Sequence, residues 1–238
     1  MRKLIEGAGK LGIELNVAQV EQFKLYYQEL IEWNRKFNLT TITDYQEVQL
    51  KHFLDSITIM SVLTEEEVRK PDFSIIDIGT GAGFPGVPLK ILFSKSRLVL
   101  LDSRAKKVAF LRHITQKLEL ESVEVIHGRA EEIARLPLYR EQFALAISRA
   151  VAQLSTLVEL ALPFCRVGGK FVAWKKGEIS QEIDKAIKAV ELLGGKLNQT
   201  KNLEIEGLSE RYLVIVDKIS PTSDKYPRRS GIPKRRSI

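Results

Sequence analysis

Apolar residues that recur every three or four positions mark the first part of the chain as helical. Asn16, followed three residues later by Gln19, matches the start of a helix with a capping box, and an apolar stripe comes after it. A second helix with one buried face is predicted from Asp44 onward, after a polar, Thr-rich loop. Residues 1–65 are therefore expected to form a small N-terminal helical unit.

The pattern changes at Phe73, where short β-branched runs begin to alternate with helical stretches. The predicted strands are Ser74–Ile78, Arg97–Asp102, Val123–His127, Phe143–Ser148, Lys170–Trp174 and Tyr212–Asp217, with a weaker one around Lys196–Glu206. The predicted helices between them are Ala105–Leu118, Gln153–Phe164 and Gln181–Leu193. Such alternation is typical of an α/β fold whose mostly parallel sheet is covered on both faces. The short gap before the last strand predicts an antiparallel hairpin at one edge of the sheet.

A glycine-rich loop follows the first predicted strand, with the sequence Asp77-Ile78-Gly79-Thr80-Gly81-Ala82-Gly83-Phe84-Pro85-Gly86. Glycines at the carboxyl end of a parallel strand let the backbone come close to a ligand. The later glycines fit a dinucleotide site, whereas Asp77 with Gly79, Gly81 and Gly83 fits an S-adenosylmethionine site. Asp77 favours the second, because a carboxylate opposes a pyrophosphate and attracts an ammonium group. A plain tight turn is the remaining alternative.

Two later strand ends supply polar groups for a nucleoside. Asp102 lies about twenty residues after the glycine loop, the spacing at which an acid accepts hydrogen bonds from ribose hydroxyls. Asp102 is also suited to begin the next helix as an N-cap. After the third strand, the backbone N–H of Ala130 and the side chain of Glu131 are candidates to contact an adenine. The ligand is therefore expected to contain a nucleoside.

Charge adds a basic tail to this picture. The chain of 238 residues has a net charge of +7, and Lys218–Ile238 carries seven Lys and Arg against one acid, so the rest is nearly neutral. Pro221, Pro227 and Pro233 exclude a continuous helix there. Residues 66–220 are thus expected to be the catalytic domain, and residues 221–238 a basic arm whose grip on nucleic acid is separable from catalysis. The candidate RNA contacts in the arm are Lys225, Arg228, Arg229, Lys234, Arg235 and Arg236. A merely solubilising tail is the alternative.

Some classes of protein are excluded by what the sequence lacks. Cys165 is the one cysteine, so no intramolecular disulfide can form, and a reducing, cytoplasmic setting is expected. No apolar run reaches the roughly 18 residues of a membrane span. No Cys and His residues have the spacing of metal ligands. We expect no metal, no membrane association and a monomer.

Five motifs together resemble one protein family. They are Glu32-Trp33-Asn34 with Asn38-Leu39-Thr40, His52-Phe53-Leu54-Asp55-Ser56, the Asp77–Gly86 loop, Ser148-Arg149-Ala150-Val151, and Lys225-Tyr226-Pro227-Arg228-Arg229-Ser230-Gly231-Ile232-Pro233. Over nearly its whole length the chain resembles glucose-inhibited division protein B, the bacterial 16S ribosomal RNA guanine-N7 methyltransferase family. The resemblance implies a class I methyltransferase (Rossmann-like) fold, S-adenosylmethionine as cofactor, and 16S ribosomal RNA or the small ribosomal subunit as partner. It also implies cofactor contacts at Gly79, Phe84, Asp102, Ser103, Arg104, Ala130, Glu131 and Arg149.

The implied reaction limits what the side chains must do. Guanine N7 has a lone pair and no proton, so methyl transfer is a direct in-line displacement that needs no general base. Arg149 is expected to orient the cofactor or the RNA, because its common fork onto guanine would cover N7; a structural ion pair is the alternative. His52 and Asp55, one helical turn apart, are expected to form a polar cluster with Asn38 over the cofactor site. The alternative is a hydrogen-bond network between the two units with no substrate contact.

The fifth predicted strand ends in a pair of lysines, Lys175 and Lys176, which are candidates to contact RNA phosphates. An ordinary solvated pair is the alternative, and Trp174 is expected to lie in the core. Two other functions stay open for the whole protein. One is an NAD(P)-dependent oxidoreductase with the same glycine loop, and the other is a non-catalytic RNA-binding module that has kept a nucleoside pocket.

Overall fold

The computed structural model of the chain describes residues 1–149, 152–208 and 210–238. The strands in this part of the chain are β1 Ser74–Ile78, β2 Arg97–Asp102, β3 Val123–His127, β4 Phe143–Ser148, β5 Cys165–Lys176, β6 Gly195–Leu203 and β7 Arg211–Lys218. They form one sheet in the order β3-β2-β1-β4-β5-β7-β6. Strands β1 to β5 run parallel, and β7 pairs antiparallel with both β5 and β6. The predicted α/β fold with an antiparallel edge hairpin is confirmed.

Helices cover both faces of this sheet. They are α1 Arg2–Lys10, α2 Val17–Phe37, α3 Tyr45–Val48, α4 Asp55–Ile57, α5 Glu65–Arg69, α6 Gly86–Leu92, α7 Ala105–Lys117, α8 Ala130–Ile133, α9 Leu154–Ala161, α10 Ser180–Leu192 and α11 Ile232–Arg235. A π-helical segment, Gln49–Leu54, joins α3 to α4, and 3₁₀ turns follow at Thr58–Ser61 and Leu162–Phe164. The helix predicted from Asp44 is thus a succession of short α-helical, π-helical and 3₁₀ segments. Helices α1, α6 and α11 had not been predicted separately, since such short elements contain too few turns to show an apolar period.

The N-terminal helices pack on one face of the sheet. In α2 the Asn16 side chain accepts a hydrogen bond from the Gln19 N–H at 2.9 Å, and the predicted capping box is present. Tyr26 on the inner side of α2 belongs to the same hydrophobic core as Ile75 of β1. The next residue of that strand, Ile76, belongs to a second core. Because successive residues of a strand point to opposite faces, the sheet is buried on both sides, as predicted.

The C-terminal segment folds back onto the body of the protein. Arg140 donates to the backbone carbonyl groups of Thr222 at 2.7 Å and Tyr226 at 3.0 Å. Arg228 Nη2 lies 2.6 Å from Oε2 of Glu159, a residue with no exposed surface. The segment therefore packs on the body, because carbonyl groups and a cation of the tail bind partners there. Its separate role in binding RNA stays a prediction.

Candidate active site

The glycine loop leaves β1 in a backbone conformation that only glycine adopts easily. Gly79, Gly81 and Gly83 have φ angles of 69°, 65° and 96°. The Gly79 N–H donates to the carbonyl oxygen of Leu101 at 2.8 Å, which ties the loop to β2. A Cβ atom at Gly83 would lie 2.5 Å from the Tyr26 hydroxyl oxygen. Gly83 is therefore required for the packing of α2 against the loop.

A cleft of about 590 Å³ opens beside this loop, at the carboxyl edge of β1, β2 and β3. Most of the predicted cofactor contacts line it, namely Gly79, Gly81, Phe84, Asp102, Ser103, Arg104, Ala130, Glu131 and Arg149. Residues from outside that set, including Thr40, Lys107 and Lys234, line it as well. The volume lies within the range of about 300–1,000 Å³ that is usual for cofactor and small-ligand sites. We call it the cofactor cleft.

Asp102 is held by the backbone around it. Its Oδ2 accepts from the Gly81 N–H and its Oδ1 accepts from the Arg104 N–H, both at 2.9 Å, and the residue is 7% exposed. Each carboxylate oxygen keeps a further lone pair, so this group fits the two hydroxyls of a ribose. Arg104, not Asp102, occupies the N-cap position of α7. Asp102 therefore closes the turn before that helix and does not cap it.

Asp77 lies behind the loop and is not among the residues that line the cofactor cleft. Its Oδ2 accepts from the Thr80 hydroxyl at 2.6 Å and from the Gly86 N–H at 2.8 Å. Burial raises the pKa of this carboxyl from 3.8 to about 7, against the lowering effect of those hydrogen bonds. The expected contact between Asp77 and a cationic ligand stays a prediction, since Asp77 itself is not part of the cleft lining. Asp77 braces the loop from inside, and Gly83 also lies outside the lining of the cleft.

Arg149, after β4, is the centre of a polar cluster with the π-helical segment. Its Nη1 donates to Asp55 Oδ2 at 2.8 Å and to the Lys51 carbonyl oxygen at 3.0 Å. The guanidinium carbon lies 5.2 Å from the centre of the Phe84 ring, and the His52 ring stacks on the same Phe84 at 4.4 Å. The structure thus brings Arg149 to His52 and Asp55, two of the residues that the sequence predicted to share a polar cluster.

His52 is neutral in this cluster. Its Nδ1 lies 3.2 Å from Arg149 Nη2, and its Nε2 lies 2.9 Å from the Thr40 hydroxyl oxygen. Nδ1 also lies 3.1 Å from the Lys51 carbonyl oxygen, so the tautomer decides whether Nδ1 donates to Lys51 or accepts from Arg149. Burial, and then the charge of Arg149, lower the pKa of His52 from 6.5 to about 3. The charge of Arg149 is itself balanced by Asp55, so the cluster adds no net cation from these three groups.

Asn38, the third residue predicted for this cluster, has a different place. It ends α2 in the left-handed conformation, with φ 49°, and its side chain is exposed. Thr40 supplies the hydroxyl that contacts His52, and its own N–H donates to Asn34 Oδ1 at 2.8 Å. Thr40 belongs to the Asn38-Leu39-Thr40 motif, so the motif did contain the residue that contacts His52. Sequence spacing alone does not show that Asn38 ends the helix and Thr40 lies in the site.

A second cleft, of about 1,020 Å³, shares Arg149 and His52 with the first. Basic side chains on its walls are Lys51, Lys175, Lys176, Lys185 and Arg211. Lys175 Nζ lies 2.7 Å from the Ala152 carbonyl oxygen and 2.6 Å from Glu182 Oε1, whereas Lys176 is exposed. Trp174 is 4% exposed and donates to the Asp55 carbonyl oxygen at 2.8 Å, so its predicted core position is confirmed. We call this the basic cleft.

The candidate RNA residues of the tail divide into three groups. Arg228 is paired with Glu159, and Lys234 lines the cofactor cleft. The remaining four, Lys225, Arg229, Arg235 and Arg236, are exposed. Two residues of the Arg149 motif, Ala150 and Val151, lie outside the described residues.

Other reactive groups have no part in this site. The thiol of Cys165 is buried, and burial raises its pKa from 9.0 to about 12. Within the described residues, no group of three or more His, Cys, Asp or Glu side chains is placed to hold a metal ion. In the same part of the chain, no helix has both the length and the apolar character to cross a membrane.

The strand order, the glycine loop after β1 and the cleft at the carboxyl edge define a class I methyltransferase fold. Solved structures agree on the fold: TrmN from Thermus thermophilus matches with a TM-score of 0.52 and 15% identity, over 78% of this chain and 53% of that one. TYW2 from M. jannaschii, solved in complex with AdoMet, matches with a TM-score of 0.50 and 14% identity, over 66% of this chain and 78% of that one.

The family follows from the sequence comparison. The model of the GidB family, described as rRNA small subunit methyltransferase G, matches residues 19–213. Ribosomal RNA small subunit methyltransferase G of Dehalococcoides mccartyi strain CBDB1 is 50% identical, over 98% of this chain and 97% of its own length. The protein of the same name from Lachnoclostridium phytofermentans is 44% identical, over 96% and 93%. The chain belongs to the rRNA small subunit methyltransferase G family.

Family membership confirms the resemblance seen in the sequence, the enzyme class and S-adenosylmethionine as cofactor. It decides against an oxidoreductase and against a non-catalytic module. The residues of the cofactor cleft fit this cofactor, because Asp102 offers carboxylate lone pairs to a ribose and the glycine loop leaves its backbone open to the cleft.

Proposed function

We propose that this chain transfers the methyl group of S-adenosylmethionine to N7 of a guanine in 16S ribosomal RNA, with the cofactor in the cofactor cleft and the guanine in the basic cleft. The observation that carries this arrangement is the wall that both clefts share, formed by Arg149 and His52. A methyl donor in the cofactor cleft and an acceptor in the basic cleft would therefore lie next to each other at these two residues. The family supplies the substrate, and the two clefts supply the arrangement.

In the cofactor cleft each polar group has a separate task. Asp102 binds the ribose hydroxyls, and Glu131 with the Ala130 N–H contacts the adenine. Gly79 and Gly81 let the backbone approach the amino-acid part of the cofactor. Ser103, Arg104 and Phe84 complete the walls of this cleft. When bound, the cofactor supplies an electrophilic methyl group on a sulfonium.

The chain's contribution to the reaction is position and charge balance. N7 brings its own lone pair, so the side chains hold it in line and exclude water, and none has to remove a proton. Positive charge passes onto the purine in the transition state, and an uncompensated cation nearby would raise its energy. Neutral His52, and Arg149 balanced by Asp55, avoid this cost.

Arg149 acts as a positioning residue in this proposal. Its Nη1 is bound by Asp55 and the Lys51 carbonyl oxygen, and its Nη2 faces His52. The fork is therefore engaged and does not cover N7 of the guanine. Its guanidinium carbon lies over the ring of Phe84, which lines the cofactor cleft. Arg149 therefore fixes the boundary between cofactor and base.

The predicted segments keep separate tasks. Residues 1–65 contribute His52 to the shared wall, and residues 66–220 form most of both clefts. Residues 221–238 add exposed cations for RNA. Lys176 and the exposed tail residues contact phosphates. We propose a monomer that works in the cytoplasm, because one chain supplies both clefts and ribosomal RNA is the substrate.

Methyl transfer from radiolabelled S-adenosylmethionine tests the proposal. Protein-free 16S RNA and assembled small subunits are offered in parallel, and the label is recovered as 7-methylguanine. A transcript that contains 7-deazaguanine in place of guanine is the matched control, since it lacks the accepting nitrogen and is expected to take no label. Label on the 7-deazaguanine transcript, or label in neither RNA nor subunits, contradicts the proposal.

A further inference from the structure

The last residues of the chain run along the rim of the cofactor cleft and are fastened there at two points. At the first, Arg228 binds buried Glu159 through its backbone N–H at 2.8 Å and through its guanidinium, with Nη2 2.6 Å from Oε2. At the second, the Thr156 hydroxyl of α9 donates to the Pro233 carbonyl oxygen at 3.2 Å. Pro233 itself is buried. The segment between these points is thus held against α9.

Between the two fastenings the segment contacts a residue of the cofactor cleft. The Gly231 N–H donates to Glu131 Oε1 at 2.8 Å, across 100 positions of sequence. Glu131 is 7% exposed and lines the cleft, and its Oε2 lies 3.9 Å from Arg129 Nε. Lys234, three residues after Gly231, lines the same cleft. The tail therefore fixes one oxygen of a carboxylate in the cofactor cleft.

The same segment carries exposed cations. Arg229, Lys234, Arg235 and Arg236 are exposed, and they lie within five positions of Gly231. Like charges this close repel one another, and the repulsion opposes the docked conformation. Phosphates of a bound RNA would remove part of that repulsion and so favour the docked segment.

We propose that the C-terminal segment Arg228–Ile238 couples the two ligands: by holding Glu131 through the Gly231 N–H it strengthens cofactor binding, and RNA on its exposed cations strengthens it further. Gly231 is a positioning residue here, because it acts through Glu131. The inference rests on the proposed function, since RNA and S-adenosylmethionine are the ligands it links. By linkage, the cofactor strengthens RNA binding by the same factor.

The first experiment measures the dissociation constant of S-adenosylhomocysteine by calorimetry with no RNA present. Gly231→Pro removes the N–H and the φ of 82°, and we expect it to weaken binding about five-fold, the lower end of usual couplings. Gly231→Asn is the matched control, because asparagine keeps the N–H and tolerates positive φ, and a Cβ there meets no atom within 4 Å. The Gly231→Asn variant should keep the affinity of the unaltered chain for S-adenosylhomocysteine.

A second variant guards against a folding effect at Gly231. Thr156→Val removes the bond to Pro233 while keeping the side-chain shape, and we expect it to weaken binding in the same direction, by about two-fold. Melting temperatures are recorded for each variant. Affinities for both Gly231→Pro and Thr156→Val equal to that of the unaltered chain would overturn the proposal.

The last experiment adds unmodified, protein-free 16S RNA. The affinity of the unaltered chain for S-adenosylhomocysteine should then rise about five-fold, and the rise should be lost in the Arg235→Gln, Arg236→Gln double variant. An unchanged affinity with RNA present contradicts the coupling. This failure differs from a failure of the proposed function, in which the unaltered chain transfers no methyl group to RNA or subunits at all.

Discussion

The cofactor cleft and the basic cleft share a wall but hold their charges differently. In the cofactor cleft the carboxylates are fixed by backbone donors, two at Asp102 and one at Glu131. In the basic cleft Lys176 and Lys185 are exposed at the ends of flexible side chains. A small ligand of constant shape is bound well by rigid groups. A phosphate backbone is attracted by charge from several directions, so mobile cations serve it.

The shared wall follows neither pattern. Arg149 is half-buried and paired with buried Asp55, and His52 is neutral because burial and Arg149 lower its pKa to about 3. Arg211 Nε also lies 3.5 Å from Asp55 Oδ1. The contrast indicates that the wall acts by position, because its histidine is neutral and its arginines face Asp55. Four changes to single features test this division of tasks.

The largest effect is expected at the wall. Arg149→Gln should lower the single-turnover rate of methyl transfer at least about a hundredfold, because loss of position by an ångström costs that much. It should also lower the melting temperature, since removing one partner of a buried ion pair costs about 3–5 kcal/mol. Arg211 still faces Asp55, which limits the loss.

A double variant separates position from charge at the wall. Arg149→Gln combined with Asp55→Asn removes both charges. We expect it to regain part of the melting temperature, since Arg211 then loses Asp55, but not the rate. Recovery of the rate in the double variant would mean that Arg149 only neutralises Asp55, and the positioning role would be wrong.

The next effect distinguishes two acids at neighbouring strand ends. Asp102→Asn should raise the dissociation constant of S-adenosylmethionine at least about tenfold, since hydrogen bonds to a charged group contribute about 1.5–3 kcal/mol. Asp77→Asn is the control, because Asp77 does not line the cleft and an asparagine oxygen can still accept from Thr80 and Gly86. Its constant should change less than that of Asp102→Asn. Equal weakening by the two substitutions would place Asp77 in contact with the cofactor and contradict the geometry.

A smaller effect is expected in the basic cleft. Lys176→Gln should weaken RNA binding and lower the slope of log affinity against log salt by about 0.7–1, the value of one phosphate contact. Lys175 is bound to Ala152 and Glu182, so Lys175→Gln should chiefly lower the melting temperature. RNA affinity is measured at several salt concentrations from low to moderate. An unaltered slope for Lys176→Gln would show that Lys176 does not contact RNA.

The smallest effect concerns pH and stability. The pKa of Asp77 is raised to about 7 in the folded chain by burial, above its ordinary value of 3.8. Between these values the folded chain binds more protons than the unfolded chain, so this residue lowers the free energy of unfolding as pH rises. Relative to Asp77→Asn, the unaltered chain should therefore lose melting temperature from pH 5 to pH 8. Parallel pH curves for the two proteins would show that the carboxyl titrates normally.

Much of the fold was predictable from local patterns. The first four strands have the predicted bounds, and the edge hairpin and the α2 capping box are present. Apolar period and capping depend on residues within a few positions of one another, so one sequence is enough to show them. The strand ends also placed Asp102, Glu131 and Arg149 at one edge of the sheet, because parallel strands share a carboxyl edge.

What the sequence by itself determined was therefore the sheet, the edge where ligands bind and the family motifs. Only the tertiary structure decided which of two similar residues faces a cleft. Asp77 and Asp102 both lie at the carboxyl ends of apolar strands, yet one braces the loop and the other lines the cofactor cleft. The tail has a composition that indicates a free arm, yet Gly231 binds Glu131. Burial and the choice of hydrogen-bond partner depend on residues that are far apart in the chain. A local sequence pattern does not show which of these residues come close in space.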